Sequence, residues 1–165
     1  MTNTSSFAKP QAQRVLLTAG LVTGTLDIIT ACTYYSIRTG NNPVKVLKFV
    51  ASGLFGKEAL SGGAIYAFWG LLFHYLIAFT FAFFFFWIYP KWKGLAFNKW
   101  ITALGYGLFV WLVMNLAVVP LSQTPKGPFQ LTQAIIGAAI LICMIGLPNT
   151  LITGKYYAGR SDSEK

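Results

Sequence analysis

The sequence predicts an all-α fold, an integral membrane four-helix bundle with a short amphipathic interfacial helix between helices 1 and 2. Three observations predict it. Four apolar runs are each long enough to cross a bilayer, aromatic and basic residues stand at their ends, and only 10% of residues are charged. Soluble domains carry about 25% charged residues, and the mean hydropathy of +0.58 points the same way.

The runs occupy 15–37, 64–89, 100–119 and 131–152, which by subtraction are 23, 26, 20 and 22 residues long. About 20 residues span the hydrocarbon core as a helix, so each qualifies. The second run, ending in four successive phenylalanines and Trp87, is longer than needed and should tilt or project. It closes on Tyr89, Lys91, Trp92 and Lys93, interface anchors around Pro90. The third run stops at Pro120, before a short polar loop with two more prolines.

Residues 1–14 read as a disordered N-terminal tail, 15–152 as a single four-span domain, and 153–165 as a polar C-terminal tail. Between the first two spans, Asn42 and Pro43 set up a helix start. Val44, Leu47, Val50, Ala51 and Leu54 then recur at helical spacing, with Lys45 and Lys48 able to reach headgroups. This predicts a helix over about 43–56, lying on the membrane surface or capping the bundle.

Charge sets the topology. The N-terminus, second loop and C-terminus hold eight of the 13 Lys and Arg residues, and the first and third loops hold five, including Arg38, Lys45, Lys48 and Lys126. The excess puts both termini in the cytoplasm. A net charge of +9 does not mark nucleic-acid binding, because the basic residues sit singly between apolar runs instead of along a stripe. The implied partner is the lipid bilayer, with a homo-oligomer as a further possibility and the substrate unknown. Ile29-Thr30-Ala31-Cys32 has the form of a lipoprotein cleavage box, but an aspartate within the apolar stretch favours a retained span.

Three polar residues inside the spans are candidates for proton or ligand handling: Asp27, His74 and Asn115. An ionisable group at a helix centre costs about 2.5–3.5 kcal/mol on insertion scales, so it needs protein, water or a partner beside it. Asp27 stands ten residues before Ile37 and His74 ten after Ala64. At ~1.5 Å per residue, both lie roughly 15 Å below the first-loop face. By the same rise, Asn115 lies roughly 6 Å below that face. Asn149 falls near the opposite face, as a helix-end residue.

Gly20, Gly24, Asp27 and Ala31 share one side of the first helix, and Gly70, His74 and Ala78 one side of the second. Small-residue seams let membrane helices approach closely, which would bring Asp27 and His74 together. Such a pair could share a proton; the alternative is an interhelical hydrogen bond that fixes packing.

No enzyme is expected. The one histidine excludes bis-histidine haem ligation within a protomer, no metal-ligand cluster is spelled out, and no cofactor motif occurs. Cys32 and Cys143 read as small packing residues within apolar runs.

A histidine-bearing helix, an aromatic run, Tyr89-Pro90-Lys91, a helix with Gly105, Gly107 and Trp111, then Pro120-Leu121 and the turn from Pro125 to Phe129 follow in that order. This arrangement resembles the YagU-like family of small bacterial inner-membrane proteins, across about the second and third spans and the loop after them. The resemblance implies an inner-membrane location and a helical fold. It brings no defined molecular function and no site residue beyond the His74 position. The first loop and the setting of Asp27 depart from the family's pattern. Four spans with one acidic residue in the first also resemble the general plan of small multidrug exporters, which act as dimers.

Overall fold

A computed structural model describes residues 10–91, 98–128 and 130–163. Helix α1 is Pro10–Thr39, α2 Val44–Phe55, α3 the single turn Glu58–Ser61, and α4 Ile65–Ile88. Helix α5 runs over Lys99–Leu121, passing through a π-turn at Met114–Val118. Helix α6 joins Leu131–Leu141, a π-turn at Ile142–Gly146, and Leu147–Ser163. No strand occurs among the described residues.

Helices α1, α4, α5 and α6 are each long and apolar enough to cross a membrane. Their apolar windows are only 17–28% buried within the chain. Leu116 at 72% and Leu76 at 65% exposure face outward, as a lipid-facing surface requires.

Polar chemistry marks the helix ends. The Asn98 side chain accepts hydrogen bonds from the Trp100 and Ile101 amides, capping α5. Val44 N–H donates to Asn42 Oδ1 at 2.9 Å, so the Asn42-Pro43 start lies where the sequence puts it. Gly40 and Gly56, at φ of 67° and 63°, supply the positive φ that glycine favours where α1 and α2 end.

Two aromatic clusters hold the interior. Phe81, Phe85, Tyr106, Val110 and Ile145 form one, with Tyr106 Oη donating to the Phe81 carbonyl at 2.6 Å. Ala12, Phe86 and Tyr156 form the other. This second cluster corrects both tail boundaries. Residues 10–14 are helical, because Ala12 is buried against Phe86 and Tyr156. Past 152, α6 continues to Ser163, because Thr153 and Tyr156 are buried on one side while Lys155 faces out. A hydropathy run ends where the average turns polar; a helix continues while one stripe remains buried.

Helix α2 rests on α4. A Cβ at Gly70 would overlap the Leu47 carbonyl, and Phe55 packs among Tyr66, Trp69 and Phe73. Gly70 therefore belongs to the α2–α4 crossing, a correction to its place on a seam with α1. The α1–α4 seam runs instead through Gly20 against Phe79 and Gly24 against Tyr75 and Ala78. Another close crossing joins α5 to α6, where Gly107 meets the Ile142 backbone and Gly146 meets the Ala103 carbonyl.

Tyr89 is half-buried and stacks on Tyr157 with ring centres 5.5 Å apart. It packs the end of the bundle against α6. Lys91 lies over the Trp87 ring at 3.3 Å, a cation–π contact. Trp92 and Lys93 lie outside the described residues.

Candidate functional site: an intramembrane cleft

The four-span alternation puts the first and third loops at the same end of the bundle, and the hydrogen bonds join them. Gln123 N–H donates to the Gly53 carbonyl at 3.0 Å, and Gln123 Nε2 to the Leu54 carbonyl at 2.9 Å. The same end is tied across by Tyr34 Oη, which donates to Gln133 Oε1 at 3.0 Å between α1 and α6.

Beneath this end lies a cleft of about 990 Å³ between α1, α2, the end of α5 and the start of α6, closed in part by the proline-bearing loop 122–128. Asp27, Ala31 and Tyr34 contribute from α1, Phe49 from α2, Trp111 and Asn115 from α5. Among the described residues Asp27 is the one acidic member of the wall, with four basic ones, Arg38, Lys45, Lys48 and Lys126. Ala31, which the sequence places on a helix-packing face, also lines the cleft.

His74 is not part of that wall. Its Nε2 lies 2.8 Å from the Gly24 carbonyl; a carbonyl only accepts, so the ring donates from Nε2. The hydrogen bond of the imidazole goes to the α1 backbone, three residues before Asp27. A neighbouring bond, Thr25 Oγ1 to Tyr75 Oη at 2.8 Å, fixes the same crossing. The expectation that the two residues lie at one level holds to within about a turn, and the direct partner of His74 is Gly24.

Asn115 stands in the π-turn of α5. A π-turn widens the helix and shifts its N–H groups from their usual acceptors. Asn115 Nδ2 donates to the Trp111 carbonyl at 2.8 Å, so it both lines the cleft and braces the widened turn. Asn149 differs from its expected place at a helix end. It lies within Leu147–Ser163, fully buried, and its amide finds no partner among the described residues. Thr153, one turn on, is also fully buried, and its hydroxyl has no partner among the described residues.

The four wall cations were legible in the sequence only as topology signals. Lys45 and Lys48 stand three apart on α2 and so share a face, a spacing that could have marked them. Nothing local to Arg38 or Lys126 says that they meet the same space. Among the described residues no group of three or more His, Cys, Asp or Glu is placed to hold a metal ion.

No family model matches the chain, and neither the curated proteins nor the solved structures contain a match to it.

Proposed function

We propose that this chain is a small multi-pass protein of a bacterial inner membrane that moves a solute by proton-linked transport or permeation through the cleft, with Asp27 as the proton-handling group. The observation that carries this is the position of Asp27 on the cleft wall. An intramembrane carboxylate is expensive, and one lining an open cavity is available to both protons and ligand. His74 serves this site by position: its bond to Gly24 holds α1 against α4 directly below Asp27. The inner-membrane location is supported by the YagU-like arrangement of residues 74–128. The cytoplasmic placement of both termini is supported by the Lys and Arg asymmetry, and it puts the cleft mouth on the opposite side. Pairing of two copies, on the plan of small exporters, would bring two Asp27 carboxylates to one pathway.

Infrared difference spectroscopy across pH, on the purified protein and Asp27→Asn, tests the proton site. A carboxyl band that titrates and is missing from Asp27→Asn is expected. Liposomes with trapped pyranine and a valinomycin-imposed potential test movement: proton entry should exceed that of empty liposomes and fall to that level in Asp27→Asn. Flux unchanged by the substitution would sink the proposal.

The seating of α2 across α4, with its lysines at the cleft mouth, favours a second reading, a non-catalytic accessory protein that holds lipid or a partner complex without moving it. That protein would bind ligand and leave the pyranine signal at its background.

A further inference from the structure

The cleft wall is unbalanced in charge, and the imbalance is layered. Arg38 ends α1, Lys45 and Lys48 stand on α2, and Lys126 stands in the loop after α5; all four line the cleft at its loop end. Asp27 lies 11 residues before Arg38 on the same helix, roughly 16 Å deeper at 1.5 Å per residue. It is too deep to serve as their counter-charge.

The hydrogen bonds of the lysines go to neutral groups. Lys45 Nζ donates to Asn41 Oδ1 at 2.9 Å, Lys48 Nζ to the Gly62 carbonyl at 2.5 Å, and Lys126 Nζ to the Pro120 carbonyl at 3.0 Å. Arg38, Lys45 and Lys126 are solvent-exposed, and Lys48 is half-buried. Between and below these cations the wall is mostly apolar and aromatic, with Val46, Phe49, Trp111, Ala134, Ile140 and Leu141, while Asp27 and Asn115 add polar groups to it. Basic groups above an apolar wall match an anionic head on an apolar tail, as lysines near a membrane surface match acidic lipids.

We propose that the cleft is a binding site for an anionic phospholipid, its phosphate held among Arg38, Lys45, Lys48 and Lys126 and its acyl chain lying along Phe49, Trp111 and Ile140. This rests on the cleft being the binding site of the chain, and it names the class of ligand. A free phosphate ester would satisfy the cations but leave the apolar wall uncovered. A zwitterionic lipid would cover the wall but bring its own cation among four others.

The test uses the full chain purified in neutral detergent, with binding followed by native mass spectrometry and by tryptophan fluorescence. Three probes separate the sources: dioctanoyl phosphatidylglycerol, dioctanoyl phosphatidylcholine and glycerol 3-phosphate. Phosphatidylglycerol should bind at least ten times more tightly than phosphatidylcholine, and glycerol 3-phosphate should leave both signals unchanged. The combined variant Lys45→Gln, Lys48→Gln, Lys126→Gln should lose the tenfold preference. Each single variant should lose part of it. A control variant, Arg14→Gln with Lys155→Gln, removes charge near the termini, away from the cleft, and should keep the preference. Equal binding of the two lipids, or a preference untouched in the combined variant, would overturn the proposal. Glycerol 3-phosphate binding as tightly as phosphatidylglycerol would replace the lipid with a soluble phosphate ester. The Asp27 carboxyl band, recorded on the same preparation, separates the failures. A titrating band without lipid preference leaves the proton site standing and removes the ligand class alone.

Discussion

The Nε2 of His74 donates to the Gly24 carbonyl across 2.8 Å, joining α4 to α1 at the point where Gly24 lets Tyr75 and Ala78 come close. A glycine seam and a hydrogen bond at the same crossing act together. The missing side chain permits the approach, and the imidazole uses it. This gives His74 a structural task that is separable from the chemistry at Asp27.

Replacing His74 by leucine should destabilise the protein by about 1 kcal/mol, within the range for interhelical hydrogen bonds in membranes. Glutamine keeps a donor at that position and should recover part of the loss. Equilibrium unfolding of the three proteins in mixed detergent measures it. Equal stability of wild type and His74→Leu would mean that the bond contributes nothing to the crossing.

Gly70→Ala should lift α2 from α4, because the added Cβ overlaps the Leu47 carbonyl, a backbone atom that cannot rotate away. Hydrogen exchange over residues 44–55 should quicken by at least tenfold. Gly63→Ala is the control, since nothing lies within 4 Å of a Cβ at Gly63. Similar exchange in both variants would count against the close contact.

Asn149 is fully buried and its amide has no partner among the described residues. Leucine has the same branched arrangement of four heavy atoms and no polar atoms to desolvate. Asn149→Leu should therefore raise stability by about 1 kcal/mol. A loss of stability would show that the amide makes a hydrogen bond that leucine cannot replace.

Membrane orientation can be read with an impermeant maleimide on intact cells, after Cys32 and Cys143 are replaced by serine. Lys126→Cys should label from outside, and Lys155→Cys only after the membrane is opened. The reverse pattern would put the termini outside and turn the cleft mouth toward the cytoplasm.

The four spans, the helix between the first two and the cost of placing Asp27 in lipid were all determined by the sequence alone. Each depends on a local quantity: the length of an apolar run, the Asn42-Pro43 start, or an ionisable group within a span. The Gly20 and Gly24 seam was legible for the same reason, because small residues four apart share one helix face. Tertiary structure alone decided the partners. Gly70 serves α2 instead of α1, and His74 bonds to a backbone carbonyl that no side-chain pattern could announce. Helices α1 and α6 reach beyond their apolar runs because Ala12 and Tyr156 meet Phe86 from distant parts of the chain. The cleft likewise exists only where α1, α2, α5 and α6 converge. Its four cations come from a helix end, a second helix and a loop, and lie up to 88 positions apart (126 minus 38). Periodicity orders residues along one helix; which faces of different helices meet is set by long-range packing, and that packing makes the site.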